Sequence, residues 1–177
     1  VRTATAGSGV WEAGATYTSR HVAAPLGSAS YSGRVGQIEY GIGASLETDY
    51  RTLIADWRTF DASGAPTGRI DFPSPRDTRE GALNGNISLP VGPGRLGATA
   101  QVSTDQFQAD NDFFSFDTAG VSTGALNTLP LTRNRDFEIG LNYDVDIGDW
   151  SLALIALTNR HRFDFEESAT TTDALGA

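Results

Sequence analysis

Residues 137–149 read FEIGLNYDVDIGD, and apolar and polar positions alternate through them without a miss. Phe137, Ile139, Leu141, Tyr143, Val145 and Ile147 share one parity. Glu138, Gly140, Asn142, Asp144 and Asp146 share the other. Successive side chains of a strand point to opposite faces, so this spacing predicts a strand with an apolar stripe on one face and carboxylates on the other. Gly148-Asp149 then reads as a tight turn, and Trp150 with the run SLALIAL as the returning strand of a β-hairpin.

Most of the chain repeats this plan. In residues 9–19, Trp11, Ala13, Ala15 and Tyr17 alternate with Glu12, Gly14, Thr16 and Thr18. A loop with Pro25 and Gly27 is expected next, followed by Ala29, Tyr31 and Val35 against Ser28, Ser30, Ser32 and Arg34. Gly36-Gln37 is a turn. Ile38, Tyr40, Ile42, Ala44, Leu46 and Tyr50 then oppose Glu39, Gly41, Gly43, Ser45, Glu47, Asp49 and Arg51, in a strand that extends toward Leu53 and Ile54. Residues 56–77, rich in Pro, Gly and Arg, predict a long loop. Residues 80–91 and 96–105 alternate again around Gly92-Pro93-Gly94, and residues 111–134 predict a second long loop. A polar tail, SATTTDALGA, ends the sequence. About seven strands result, joined by long and short connections in alternation.

The plan has a period. The turns begin at Gly36, Gly92 and Gly148, each 56 residues after the last, and FDASGAPTG at Phe60 recurs as FDTAGVSTG at Phe116, also 56 residues on. A repeat of two strands, one long connection and one short turn is an up-and-down meander. The predicted fold is all-β, an antiparallel up-and-down transmembrane β-barrel segment. Three features favour lipid over a soluble core on the apolar side. The strands reach the roughly 9–11 residues that a tilted membrane strand needs, long against the soluble mode of about five or six. Long connections alternate with short ones, as in outer-membrane barrels. Aromatics cluster near strand ends on the apolar parity: Trp11, Tyr40, Tyr143 and Trp150 toward the short turns, and Tyr17, Tyr31 and Tyr50 toward the long connections. That is the pattern of interfacial girdles.

Composition narrows the choice further. The net charge of −9, with 13 basic residues that are all Arg, argues against a nucleic-acid partner. With no Cys there is no disulfide, thiolate metal site or cysteine nucleophile. With no Met and a start at Val1-Arg2-Thr3, residues 1–177 read as an interior or processed piece of a longer chain, one partial barrel domain.

Three stretches resemble TonB-dependent outer-membrane receptors. REGALNGNISLPVGPGRLGATAQVSTDQF and DFEIGLNYDVDIGDWSLALIALTNRHRF are similar to barrel strands of that family, and GSGVWEAGATYTS to its first barrel strand after the plug. The resemblance implies a bacterial outer-membrane location and ligand-gated uptake of a scarce small nutrient, often a ferric siderophore. It implies as partners the remainder of the barrel and plug, the TonB complex acting through that plug, and outer-membrane lipid with lipopolysaccharide. Neither plug nor TonB box is recognisable in these residues. A passive porin-like or anchoring barrel, and a soluble or secreted β-sandwich binding module, are the alternatives.

Candidate chemistry is sparse. Residues 92–97 match G-x-G-x-x-G, but a strand pattern follows where a dinucleotide site needs a helix. His21 and His161 lie far apart, and Arg160-His161-Arg162 offers charge to an anionic ligand or a lipopolysaccharide phosphate. Asp110, Asp112 and Asp117 lack the Gly and Glu of a calcium loop. Glu39, Glu47, Asp49, Glu138, Asp144 and Asp146 read as a hydrated lumen wall. No enzyme, cofactor or metal is indicated. Ligand contacts are expected from the long connections, on Trp57, Arg58 and Arg69 in the first and Phe113, Phe114 and Phe116 in the second.

Overall fold

A computed structural model describes residues 6–18 and 23–174, and His21 lies outside them. The described residues form one antiparallel sheet of eight strands: β1 (Ala6–Tyr17), β2 (Ala23–Val35), β3 (Ile38–Phe60), β4 (Pro66–Val91), β5 (Gly94–Ala109), β6 (Asn111–Phe116), β7 (Ser122–Ile147) and β8 (Trp150–Asp173). β1 to β5 each pair with the next strand, β7 pairs with β5 and β6, and β8 pairs with β7. The all-β, up-and-down expectation is what the chain shows.

β5 and β6 occupy one strand position. Both lie between β4 and β7, and the register of β4 against β5 continues unshifted into β6. Eight strands therefore fill seven positions. The interruption at Asp110 has a local cause. Asp110 donates its N–H to the Pro75 carbonyl at 2.9 Å, but Pro75 has no N–H to return the bond. Pro73 has the same parity and lacks its donor on the same side. The β3 side of the ladder keeps its pairing from Glu39↔Ser88 to Phe60↔Pro66.

Several expected loops are strands. Residues 56–77 and 111–134 form the distal arms of two long hairpins, which turn only at residues 61–65 and 117–121. Pro25 and Gly27 lie inside β2, and most of the polar tail lies inside β8. Pro, Gly and Arg weaken strand propensity, but a 22- or 26-residue ladder anchored by an alternating base carries them. The two tips are copies. Asp61 Oδ1 accepts from the Ser63 N–H at 2.8 Å, the Ser63 hydroxyl at 2.6 Å and the Ala65 N–H at 3.0 Å. Asp117 Oδ1 accepts from the Ala119 and Val121 N–H groups at 2.9 and 2.8 Å. Gly64 and Gly120 take φ of 83° and 82°, which explains the conserved spacing of Asp and Gly within the repeat. β8 ends at Asp173, 56 residues after Asp117, so the third ascending arm stops at the same point of the repeat.

At the other end the turns are two residues long. Gly92 has φ 58°, and Pro93 fixes its own φ near −65°, which makes this a type II′ turn. Each turn sits lower than the last. Val91 falls two residues below Ile38, and Ile147 two below Gly94. The tips descend equally, since Phe116 lies level with Arg58, two below Phe60. A slip of one residue per strand, with a rise of about 3.3 Å and strands about 4.8 Å apart, tilts the strands by about 35° when such a sheet closes.

The hydrogen bond from Ser63, then those from Ala65 and from the Ser63 backbone, hold the Asp61 carboxyl below its ordinary pKa of 3.8. A depressed folded pKa makes this support full above the unfolded value and lost as pH falls through the folded one. Asp61→Ala is expected to speed amide exchange at Ser63 and Ala65 while leaving Ala119 and Val121 unchanged. Equal exchange at both tips in the variant, measured by NMR, would show that the carboxylate does not hold the turn.

Candidate functional site

The register sorts every side chain onto one of two faces. The stripe face carries rows such as Ala44–Leu83–Val102–Phe137 and Tyr40–Ile87–Ala98–Leu141. The carboxylate face carries rows such as Glu47–Glu80–Asp105–Asn134. On the stripe face each of five strands carries an apolar run that starts beside its short turn and gives way partway along, with Tyr50, Ile54, Leu129 and Leu131 recurring on that face beyond it. In β3 they run from Ile38 to Leu46, in β4 from Val91 to Leu83, in β5 from Leu96 to Val102, in β7 from Ile147 to Phe137, and in β8 from Trp150 to Ala156. The next charged positions on that face are Arg79, Arg135 and Arg160. The strands themselves run on for ten or more residues in β3, β4, β7 and β8.

In the distal arms apolar residues occupy both faces, and those of the carboxylate face pack together. Leu53, Ala55 and Trp57 of β3, Ile70 and Phe72 of β4, Ala109 and Phe113 of β5 and β6, Leu126 of β7, and Phe163 and Phe165 of β8 all lie on the carboxylate face. Here the structure is packed. Phe72 stacks on Phe113 with ring centroids 4.5 Å apart, and Trp57 stacks on Phe72 at 5.2 Å. Phe72 is only 7% exposed. Beneath the rings, buried Ser74 donates to Asn111 Oδ1 at 2.7 Å, Asn111 Nδ2 donates to the Thr128 hydroxyl at 3.2 Å, and Arg76 Nε donates to Ser74 at 3.2 Å. Side chains on diagonal and directly opposite positions meet in this way across neighbouring strands.

The six candidate ligand residues divide between the faces. Trp57 and Phe113 come together on the carboxylate face with Phe72 between them. Arg58, Arg69, Phe114 and Phe116 lie on the opposite face, where Arg69 sits 4.8 Å over the Phe116 ring and pairs with Asp71 at 3.3 Å. Phe72 was not singled out by sequence. Its signal was the shared parity of Ile70, Phe72 and Ser74, obscured by Pro73 and Pro75.

All seven girdle aromatics lie on the stripe face. Tyr31 belongs with Tyr40, its ring 6.1 Å away, and so stands on the short-turn side. Trp11 shares a row with Ala29, Ala44 and Leu83, within the apolar zone. Tyr143 covers Gly94 and donates to the Val91 carbonyl at 2.9 Å, with Trp150 at the turn below it, while Tyr17 and Tyr50 stand above the apolar zone. Tyr31 and Tyr40 cover Gly7 and Gly33 in the same manner. A bare glycine between strands is shielded by the ring beside it.

The polar candidates separate too. Asp110 and Asp112 both accept from the Asn127 amide, at 2.6 and 2.8 Å, whereas Asp117 folds its own tip. His161 turns to the carboxylate face and meets Asp136 at 2.6 Å, away from Arg160 and Arg162. Glu12, Glu47, Glu80 and Asp105 line a groove of about 500 Å³ on that face. Among the described residues no His, Asp and Glu side chains are grouped as a metal site requires.

Compared with known proteins, the chain matches no family model, no curated protein and no solved structure.

Phe72→Ala is expected to cost the distal arms about 3–5 kcal/mol, as truncating a buried aromatic does. Phe114→Ala, on the other face and 38% exposed, should cost less than half as much. Urea unfolding followed by Trp57 emission, with Trp11 and Trp150 replaced by Phe, measures both. Equal losses would place no core beneath Trp57.

Proposed function

We propose that this chain is a wall segment of an outer-membrane β-barrel, with its stripe face toward lipid and its carboxylate face toward the lumen, in a receptor for TonB-dependent uptake of a small nutrient. The observation that carries the membrane reading is the exposed apolar stripe that begins at each short turn and extends about as far as a lipid-facing band. An apolar face of about ten residues, tilted by about 35°, spans about 25 Å, the height of the lipid-facing band of outer-membrane barrels. Above it the same face carries Arg79, Arg133, Arg135, Gln106 and Gln108 among scattered apolar residues such as Ile54 and Leu129, while the strands continue.

Solvent exposure supports the same assignment. Trp11 is 77% exposed, Ile42 62% and Leu83 60%, so the stripe face has no protein cover in this sheet. Lipid is the cover that matches a broad face of Leu, Ile, Ala and aromatic residues.

The receptor reading rests on two supports. One is the resemblance of residues 79–107 and 136–163 to receptor barrel strands. The other is the apolar turn of the lumen face in the distal arms, where Trp57, Phe72 and Phe113 line the mouth. A passive water-filled pore keeps its lumen polar, whereas a vestibule that captures a ligand gains from aromatic surface beside cationic groups such as Arg76.

Leu141→Arg is expected to weaken insertion of the complete barrel into phosphatidylcholine vesicles by about 2–4 kcal/mol. Asn142→Arg, one residue away on the carboxylate face beside Asp144 (Asn142 Nδ2 to Asp144 Oδ2, 2.8 Å), should have far less effect. Refolding yield into vesicles measures both, and equal damage would contradict the face assignment. The uptake reading has its own test. Deleting the gene for the complete protein should abolish growth on one scarce nutrient in a TonB-dependent manner, and growth independent of TonB would favour a passive pore.

A further inference from the structure

The arginines of the stripe face gather immediately above its apolar zone. Arg79, Arg133, Arg135, Arg160 and Arg162 occupy three successive cross-strand rows of β4, β7 and β8. Three of them have carboxylate partners: Arg79 with Asp77 at 2.7 Å, Arg133 with Glu166 at 3.3 Å, and Arg162 with Asp164 at 2.9 Å. The other two do not. Among the described residues neither Arg135 nor Arg160 has an acidic group within ion-pair distance or a hydrogen-bond partner for its guanidinium. Arg135 stands directly opposite Arg162 in the β7–β8 ladder, and Arg160 lies in the adjoining row on the same face. Like charges placed directly opposite destabilise a sheet. This juxtaposition occurs in a chain of net charge −9, where carboxylates are abundant.

We propose that Arg135, Arg160 and Arg162 form a binding site for the phosphate of a lipid headgroup. The inference rests on the membrane reading, which puts these guanidiniums at headgroup depth with the apolar zone directly below. Guanidinium forks match phosphate oxygens in geometry and charge, and an anion shared by three of them relieves their mutual repulsion. The surface below accommodates the acyl chains. A shallow apolar groove of about 610 Å³ runs over Ile42, Gly85, Ala98, Ala100 and Ile139 on the stripe face. Ile139 lies four residues below Arg135 on the same strand and face, with Phe137 between them, so the groove begins beneath the arginines. Free phosphate fits the charge but not the groove.

The test compares association of the complete barrel that contains these 177 residues with vesicles of phosphatidylcholine alone and of phosphatidylcholine containing diphosphorylated lipid A. Wild type is expected to embed in both, and to prefer the phosphorylated vesicles on the order of 100-fold, the cumulative effect of three surface arginines. The triple variant Arg135→Gln/Arg160→Gln/Arg162→Gln should embed in phosphatidylcholine as well as wild type and lose the preference. Arg34→Gln/Arg51→Gln, on the carboxylate face, should keep it, and inorganic phosphate at matched ionic strength should not compete. Embedding without preference, loss of preference in the carboxylate-face pair, or competition by free phosphate overturns the lipid site and leaves the membrane reading standing. Failure to embed in either vesicle overturns both.

Discussion

The register of the backbone ladder is the constraint on which the rest of this molecule depends. Along a strand the two faces alternate with a period of two, so a slip of one residue would carry Leu141 to the carboxylate face and Asn142 to the stripe face, and do the same at every other position. The two-residue turns at Gly36, Gly92 and Gly148 leave little freedom for such a slip, because each fixes which residues close its hairpin. The same turns set the descent of two residues per hairpin. Parity, slip and tilt are thus consequences of three short turns placed 56 residues apart.

Given that register, the chain solves two different burial problems with one ladder. Near the turns its apolar residues need a partner outside the sheet, since the stripe face is bare. In the distal arms they need partners within it, and there Phe72 and Phe113 stack over the Ser74–Asn111–Thr128 hydrogen bonds. The apolar stripe and the packed aromatic cluster lie on opposite faces of strands whose pairing continues unshifted. The crossover is marked by charge: Arg79 and Arg135 on one face, and Glu47, Glu80 and Asp105 on the other. One continuous sheet therefore presents a bare apolar stripe near its short turns and a packed aromatic cluster on the opposite face of its distal arms.

How much of this was legible in the sequence follows from where pattern and propensity agree. Near the turns they agree. Residues 137–147 alternate cleanly, and so the strand, its faces and its neighbours were all readable. In residues 56–77 they conflict, because Pro73, Pro75 and the surrounding charges read as a loop. The ladder overrides them, since the missing proline donors fall on one side and β3 remains fully paired on the other. The repeat was legible as a spacing, but the carboxylate bonds at its tips emerge only in three dimensions. The candidate aromatics were found by type and not by face: Trp57 and Phe113 converge, whereas Phe114 and Phe116, separated from Phe113 by one and three residues, divide from them by parity. The pairing of Arg135 with Arg162 follows from the Gly148-Asp149 turn only because the ladder runs unshifted from Ile147↔Trp150 up to them, which the sequence alone does not display.

The central claim, that one face of the turn-proximal sheet meets lipid, is tested most directly by a cysteine scan. The chain has no native Cys, so each substitution from 133 to 145 in β7 gives a unique spin-label site. In the vesicle-embedded chain, labels at 137, 139, 141 and 143 should be reached by dissolved oxygen and not by an aqueous nickel chelate. Labels at 138, 140, 142 and 144 should show the reverse, and the pattern should lapse at 135 and 133. Accessibility to neither reagent at the odd positions would mean a protein-covered core and would contradict the account.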